Sequence, residues 1–202
     1  MDGLPPGYPT GFAVDVVLSD GATAHVRPIL PEDGRKIVEF HERQSPRSIY
    51  FRYFSPRPRL TQREVDDLTS VDYLDRMALV ALRGEELIGV ARYDRWRHRS
   101  EAEVAFFVDD ANHGRGLATV LLEHLAVRAR DVGLTGFTAS VLPENRKMIG
   151  VERLMWSSDY PHSGSDWPDS WRTIDADFTD VPLSERDLIL CGNAQRLYHF
   201  GA

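Results

Sequence analysis

Alternating apolar and polar residues near the start of the chain predict a β-hairpin. In the run VDVVLSDGATAHVRPI the alternation continues on both sides of Asp20-Gly21, and an Asp-Gly pair readily adopts the positive backbone angles of a tight turn. Strand-like runs follow in RMALVAL, LIGVARYDRW and EAEVAFFV, and the short RGEE between the first two indicates a second hairpin. The pattern therefore predicts a sheet whose strands are largely antiparallel.

Helical spacing of apolar residues marks several segments around these strands. PEDGRKIVEFHERQ is a helix candidate, SPRSIYFRYF is a short helix or turn, and LTQREVDDLTS opens with a capping box formed by Thr61 and Glu64. The strongest helix signal is GRGLATVLLEHLAVRARDVG, where apolar residues recur on one face at Leu117, Leu121, Leu125 and Ala129. A strand in GFTASVL and a helix start in PENRKMIG follow it. This order predicts an α+β domain, a mixed and largely antiparallel sheet flanked by helices with one parallel crossover.

A loop with two glycines, in FFVDDANHGRGLAT, connects the strand EAEVAFFV to the long helix. Gly114 and Gly116 lack β-carbons, so their backbone N–H groups can approach a phosphate closely. The first turn of the helix adds N–H donors without intrahelical partners, at the end where the helix dipole favours negative charge. The loop is therefore a candidate anion site, with a tightly packed helix start as the alternative. Its spacing matches neither a Walker loop nor the G-x-G-x-x-G dinucleotide motif.

The segment from His113 to Ala118 resembles the Q/R-x-x-G-x-G/A signature of the acetyl-CoA-dependent GNAT N-acetyltransferases, with His113 in place of the glutamine or arginine. HVRPILPED, near the start, is similar to the opening of that family. SPRSIYFRYF and AEVAFFVDD are more specifically similar to its bacterial protein-lysine acetyltransferase branch. The resemblance covers about residues 12–150.

This resemblance implies an N-acetyltransferase that moves an acetyl group from acetyl-CoA to an amine, with a lysine of another protein as the expected acceptor and no metal. Backbone groups of Phe106 and Val108 would pair with the pantetheine arm as if it were an added strand, and Asn145 would contact the same ligand. The slot for that arm would open where the strands EAEVAFFV and GFTASVL diverge. The implied pyrophosphate site is the loop and first helical turn, made by His113, Gly114, Arg115, Gly116, Leu117, Ala118 and Thr119.

Glu103 is the candidate base for this reaction. A lysine side chain, with a pKa of about 10.4, must lose a proton before its nitrogen can attack, and a nearby carboxylate can accept that proton. Strand alternation places Glu103 with Glu101 and Ala105 on one face of the sheet. The pattern alone leaves a solvent-facing glutamate as the alternative, whereas the resemblance implies the catalytic role. No tyrosine occurs in NRKMIGVERLMW, so the general acid stays unassigned.

The C-terminal part of the chain resembles a different family, the amidohydrolase-type metal-dependent hydrolases. RLMWSSDYPH is similar to the last strand of their barrel and GNAQRLYHF to the final helix, with Asp159 at the position of a metal-binding or water-activating aspartate. A complete barrel needs about 250 residues, and none of the seven histidines forms the H-x-H pair expected of the metal site. Asp159 and His162 alone would make a weak metal site, because catalytic zinc usually takes three protein ligands.

Two domains are therefore predicted. Residues 1–149 form a GNAT-like acyl-CoA-binding domain that lacks its last two strands, and residues 150–202 form an amidohydrolase-like appendage, mostly helical with one strand. Two alternatives to the acetyltransferase remain open: a catalytically impaired CoA-binding or interaction domain, and the remnant of a metal-dependent amidohydrolase.

Composition narrows the partners and the location. The formal net charge of −7 argues against nucleic acid and is compatible with a basic, lysine-bearing partner. The single cysteine, Cys191, is expected to be a small buried apolar residue in a reducing compartment, with a nucleophilic role as the alternative. The N-terminus does not resemble a signal peptide, and no apolar run approaches the ~20 residues of a membrane-spanning helix. A cytoplasmic protein without a membrane partner is expected.

Overall fold

The computed structural model describes residues 4–140, 142, 169–178 and 182–192. The chain divides into two compact units, Met1–Ser140 and Val141–Ala202. The boundary predicted between residues 149 and 150, the predicted helix start in PENRKMIG and the predicted strand in RLMWSS all lie outside the described residues.

The first unit is built on one six-stranded sheet whose strands lie side by side in chain order. The strands are Val14–Val17 (β1), Thr23–Pro28 (β2), Arg76–Arg83 (β3), Glu86–Arg95 (β4), Glu101–Val108 (β5) and Gly136–Thr138 (β6). Every neighbouring pair is antiparallel except β5 and β6, which are parallel. This arrangement confirms the predicted α+β class.

Both predicted hairpins are present. Gly21 adopts a φ of +83° in the turn between β1 and β2, in the left-handed region that glycine enters without strain. β3 and β4 are joined by a tight turn, with Arg83 opposite Glu86. β6 is shorter than predicted: GFTASVL was expected to form the strand, but of its described residues only Gly136–Thr138 do so. The strand ends where its backbone pairing with β5 ends.

Helices cover both faces of this sheet. The helices of this unit are Gly34–Glu42 (α1), Pro46–Tyr53 (α2), Gln62–Thr69 (α3) and Leu117–Asp131 (α4). Thr61 caps α3 in the predicted capping box with Glu64. The face of α4 predicted to be buried is buried at all four positions and packs on the same side of the sheet as Ala102 and Val104. α1 packs on the other side, with Phe107 of β5.

The described part of the second unit is helical. It comprises Ser170–Asp177 (α5), Leu183–Asp187 (α6) and a π-helical turn, Leu188–Gly192. Ile174, Phe178 and Ile189 form a small buried cluster. Arg186 joins the helices through an ion pair of 2.7 Å with Asp175.

Candidate active site

The turn into α4 presents backbone N–H groups that no side chain caps. Gly116, the N-cap residue, has φ +77° and ψ 1°, and in the described part of the chain no side chain accepts a hydrogen bond at this cap. Its carbonyl accepts the first helical hydrogen bond, from the N–H of Val120, at 3.1 Å. The N–H groups of Leu117, Ala118 and Thr119 are therefore left as donors at the positive end of the helix dipole. This geometry suits an anion such as a pyrophosphate.

The β1–β2 turn supports this loop from outside. The N–H of Ser19 donates to the carbonyl of Arg115 at 3.1 Å, and the Arg115 guanidinium lies 3.3 Å from a carboxylate oxygen of Asp20. The positive charge of Arg115, a residue of the implied pyrophosphate site, is thus paired with Asp20. Ser19 and Asp20 were missed by sequence reasoning, because nothing in a hairpin turn indicates which loop it will contact.

A strand edge opens next to the loop. β5 and β6 pair from Glu101–Gly136 to Glu103–Thr138, and no pairing between them continues beyond Glu103 within the described residues. The N–H of Asp109 donates to Ile88 of β4 at 2.9 Å. Because successive residues of a strand direct their backbone groups to opposite edges, Val108 and Phe106 direct theirs to the edge that β6 leaves open.

His113 partly occupies that edge. Its Nε2 lies 2.9 Å from the carbonyl oxygen of Val108 and 3.8 Å from a carboxylate oxygen of Asp110. Because a carbonyl oxygen only accepts, Nε2 carries the hydrogen in this contact. The imidazole therefore connects the loop to the end of β5 by a hydrogen bond, while the N–H of Val108 still points to the open edge.

Glu103 lies at the point where β5 and β6 part. One of its carboxylate oxygens accepts a hydrogen bond of 3.0 Å from the hydroxyl of Ser140. Ser140 is the one hydrogen-bond partner of this carboxylate among the described residues, and no cation forms an ion pair with it there. Lone pairs of the carboxylate thus remain available to accept a proton from another group. Ser140 was not predicted as part of the site.

A second carboxylate lies directly across the sheet. Asp94 is opposite Glu103 in the β4–β5 register, and it accepts two hydrogen bonds of 2.8 Å from Arg92 and one of 2.9 Å from Arg76. Burial alone would raise the pKa of the Asp94 carboxyl, but the two guanidinium groups outweigh it and hold the pKa below its ordinary value. Of the two carboxylates, Asp94 is ionised and paired with two guanidinium groups, whereas Glu103 forms no ion pair among the described residues.

A pocket extends along the same face of β5. Ala105 and Phe107, which follow Glu103 at alternate positions, line it together with Arg52 and Tyr53 of α2. The Tyr53 ring meets the edge of the Phe107 ring, with centroids 6.3 Å apart. Burial raises the pKa of the Tyr53 hydroxyl, against the opposing charges of Arg52 and Arg57. This partly apolar pocket therefore lies on the face of β5 that also carries Glu103.

Polar residues buried between α1, α2 and β5 fix the start of the loop. Gln44 donates to the Asp109 carboxylate at 3.0 Å and accepts from the N–H of Asp110 at 3.1 Å. The Asp110 carboxylate accepts from the N–H of Ser45 at 2.9 Å and from the hydroxyl of Ser48 at 2.5 Å. This network, which sequence reasoning missed, ties the first turn of α2 to the chain that leads into the anion loop.

Most of the predicted site residues meet in this region. The anion loop and the open edge of β5 are consecutive in the chain, and Glu103 lies on the same strand five residues before Val108. The roles assigned to these residues stay predictions. Asn145, Asp159 and His162 lie outside the described residues.

Three further findings bear on the sequence analysis. In the part of the chain that the structure describes, no group of three histidine, cysteine, aspartate or glutamate residues could hold a metal ion. None of the described helices combines the length and apolar character needed to cross a membrane. The prediction for Cys191 is wrong: its side chain is exposed, in the π-helical turn Leu188–Gly192.

Two family models match the chain. The acetyltransferase (GNAT) family matches residues 41–154, and an amidohydrolase family matches residues 115–200. The first match covers β3, β4, β5, the anion loop and α4. The second overlaps it across α4 and extends to the C-terminal residues.

Individual proteins give the same picture for the first unit. Acetyltransferase Pat of Mycolicibacterium smegmatis is 34% identical over 138 residues, which are 67% of this chain and 41% of that protein. An acetyltransferase of Pseudomonas aeruginosa is 31% identical over 65% of this chain and 73% of its own length. The crystal structure of the GNAT domain of S. lividans PAT superposes with a TM-score of 0.68 at 47% identity, covering 70% of this chain and 85% of that one. The chain thus spans less than half of the mycobacterial relative.

Proposed function

Because this chain belongs to the GNAT family of acetyltransferases, we propose that it transfers the acetyl group of acetyl-CoA to an amine, with a lysine side chain of another protein as the acceptor. The relatives named above as acetyltransferases support the transfer. The lysine acceptor rests on the similarity of the segments SPRSIYFRYF and AEVAFFVDD to the protein-lysine branch. A cytoplasmic location is part of the proposal and rests on the sequence.

The proposed donor site consists of backbone groups in the turn into α4 and along the open edge of β5. N–H groups of the first turn of α4, with Gly114 and Gly116 allowing close approach, would hold the pyrophosphate. The outward backbone groups of Phe106 and Val108 would pair with the pantetheine arm, once the Val108 carbonyl is released from its contact with His113. The fit is supported by an observation on the chain itself: the β5 edge is open from Val104 onwards among the described residues, so an added strand has backbone groups to bind.

Glu103 then acts as the general base. Its carboxylate accepts a proton from the acceptor ammonium, so that the neutral nitrogen can form a bond to the thioester carbonyl carbon. The nitrogen gives up its second proton to solvent as the carbon–sulfur bond breaks. The electron pair of that bond leaves with the CoA thiolate, which takes a proton from solvent or from a group still to be assigned. The Ser140 hydroxyl orients the carboxylate through its 3.0 Å hydrogen bond.

The observation that carries the proposal is the combination of a free carboxylate with an open strand edge at the same point of β5. Glu103 lies at the last position where β5 and β6 pair, so the base stands where the slot for the pantetheine arm begins. The neighbouring carboxylate, Asp94, is occupied by two arginines and leaves Glu103 as the acceptor of the proton.

Calorimetric titration with acetyl-CoA tests the donor site. We expect saturable binding with one site per chain, and CoA should bind as well, because the pyrophosphate and pantetheine contacts are shared. Absence of binding to the folded protein would retire the proposal.

Substitution of Glu103→Gln tests the base. The amide is nearly isosteric but cannot accept the proton, so we expect acetyl-CoA binding to persist while kcat falls by about 10²–10⁴-fold. Glu101→Gln is the matched control, because Glu101 lies two residues earlier on the same face of β5 and is exposed; its turnover should be that of the unaltered protein. Donor binding without transfer to any amine, in the unaltered protein, would favour the impaired CoA-binding domain instead.

A further inference from the structure

One stretch of the first unit has a charge opposite to that of the whole chain. Residues 43–63 contain six arginines and no aspartate or glutamate, although the formal net charge of the chain is −7. This segment, called the basic segment below, includes α2, the loop that leads to the N-cap of α3 and the first two residues of α3. Charges separated by more than about 8–10 Å are largely screened at physiological salt, so a partner close to the segment meets the local charge rather than the net charge.

Four of the six arginines have no carboxylate partner among the residues that the structure describes. Arg43 lies 3.4 Å from Glu86, and Arg57 pairs with Glu64. The other guanidinium groups form no ion pair with any residue that the structure describes: they belong to Arg47, Arg52, Arg59 and Arg63. Three of these four side chains are exposed and that of Arg52 is half-buried.

The basic segment borders the face of the sheet that carries Glu103. Arg52, Tyr53 and Leu60 line the same pocket as Ala105 and Phe107 of β5. α2 therefore lies beside the approach to the base, and a macromolecule that delivers an amine to Glu103 along this face would contact the segment.

Arg52 is a cation held in a poorly solvated place. Burial lowers the pKa of its guanidinium, and the nearby positive charge of Arg92 adds to this effect, against the opposing charges of Tyr53, Asp94 and Glu103. The group nevertheless has no hydrogen-bond acceptor among the described residues. A carboxylate supplied from outside would stabilise it more strongly than one at a fully exposed arginine, because screening by water is weaker there.

Aromatic side chains are exposed within the same segment. Tyr50 and Phe54 lie one helical turn apart on α2 and are 42% and 44% exposed. Phe54 also holds a left-handed backbone angle, φ +57°, as the C-cap of the helix. Arginine and aromatic residues are enriched in protein–protein interfaces relative to the rest of the surface.

We infer that the basic segment is a docking surface for an acidic stretch of the acceptor protein, so that the lysine to be acetylated lies among aspartate and glutamate residues. This inference rests on the proposed function and names its substrate class. It differs from the sequence analysis, where the net charge was compatible with a basic, lysine-bearing partner. A nucleic acid is the less favoured occupant, because the proposed reaction requires an amine and the rest of the chain is strongly acidic.

Two lysine peptides of equal length test this docking surface. In one, aspartates and glutamates flank the lysine; in the other, each is replaced by asparagine or glutamine. Arg47→Glu, Arg59→Glu and Arg63→Glu, singly and combined, remove the positive charge at exposed positions. Arg130→Glu is the matched control, because Arg130 is exposed in the last turn of α4, which packs on the opposite face of the sheet. Circular dichroism establishes that each variant is folded.

The expected result is a preference of the unaltered protein for the acidic peptide. The combined reversal should lower kcat/KM for the acidic peptide by at least about tenfold, since exposed ion pairs each contribute modestly, and should leave the neutral peptide and acetyl-CoA binding unchanged. Arg130→Glu should change neither. Equal transfer to the two peptides, or reversal without effect, would overturn the docking surface and leave the proposed function standing.

Direct binding separates the two hypotheses if no peptide is acetylated. Fluorescence polarisation of the labelled acidic peptide still reports docking: binding that the combined reversal weakens supports the inference, whereas equal binding to the unaltered and reversed proteins overturns it. A labelled single-stranded RNA is the third probe. Binding of RNA more tightly than the acidic peptide, lost in the same variants, would also overturn it in favour of a nucleic acid.

Discussion

Gly116, at the turn that forms the anion site, has a positive φ of +77°, a backbone conformation that is strained for residues with a β-carbon. In Gly116→Ala the left-handed conformation costs roughly 1–2 kcal/mol, and relief of this strain would turn the first N–H groups of α4 away from their present direction. The added β-carbon would meet only the Ser19 side chain, at 4.0 Å, so the effect is one of backbone angle rather than collision. We expect a lower melting temperature and a Kd for acetyl-CoA raised severalfold, measured by calorimetry.

Gly133→Ala separates backbone strain from loss of the ligand site. Gly133 has φ +76° at the other end of α4, and a β-carbon there would meet no atom within 4 Å. Its substitution should lower the melting temperature similarly and leave the Kd unchanged. A Kd raised equally by the two substitutions would show that stability, and not the geometry of the anion loop, controls binding.

Single residues could be predicted from the sequence where their role depends on local spacing. Gly114 and Gly116 stand out because a strand, a loop and a helix follow each other there, and Glu103 follows from alternation along one strand. Ser140 could not be found in this way, because its contact with Glu103 joins residues 37 apart in the chain. The sequence equally could not show that Arg52 has no ion-pair partner among the described residues, since ion pairing depends on which carboxylates the fold brings near.

The connection between α2 and the end of β5 depends on Asp110, whose carboxylate accepts hydrogen bonds from Ser45 and Ser48. Burial alone would raise the pKa of Asp110, but the hydrogen bonds from Ser48 and Ser45 outweigh it and lower the pKa. A lowered pKa in the folded state means that the ionised group stabilises the fold above its ordinary pKa of about 3.9. This stabilisation is lost as the pH falls through the lower folded value.

Asp110→Asn should therefore destabilise the protein at neutral pH and matter less in acid. We expect a loss of about 1–2 kcal/mol at pH 7, from weaker hydrogen bonds to a neutral acceptor, shrinking towards zero below about pH 3. Urea unfolding from pH 3 to pH 8 measures the difference. Asp131→Asn, at an exposed position in the last turn of α4, is the control; a difference between Asp110→Asn and the unaltered protein that did not vary with pH would contradict the assignment.

Secondary structure elements were predictable where their signals are contained in the element itself. The capping box at Thr61, the turn at Asp20-Gly21 and the buried face of α4 all require only neighbours in sequence, and the structure confirms them. The extent of β6 was not predictable, because a strand ends where its partner's backbone turns away. α5 was not predicted, since SWRTIDAD carries only a weak apolar pattern. Ile174 in this helix and Phe178 at its C-cap are buried by contact with another segment, around Ile189.

At the scale of the whole chain, the two family matches compete for α4. The amidohydrolase match begins at residue 115 and the acetyltransferase match ends at residue 154. Packing shows to which of the two units α4 belongs. Leu121 and Leu125 of this helix are fully buried in the cluster that includes Ala91 and Ala102 of the sheet. β4 also carries Gly89, where a β-carbon would come within 2.9 Å of the Leu117 side chain. Residues 115–131 therefore belong by structure to the acetyltransferase unit, a conclusion that sequence similarity alone could not give.

The amidohydrolase match raises the question of whether the chain needs a metal, and the proposed chemistry predicts that it does not. A carboxylate supplies the base, backbone N–H groups supply the anion site, and the acetyl group is already activated as a thioester. We therefore expect acetyl transfer to be unchanged after treatment with a chelator and removal of the chelated metal, and in Asp159→Ala. Elemental analysis of the purified protein should find no stoichiometric zinc or manganese. Stoichiometric metal that Asp159→Ala abolishes, together with lost transfer, would instead join the C-terminal residues to the reaction and require a different mechanism.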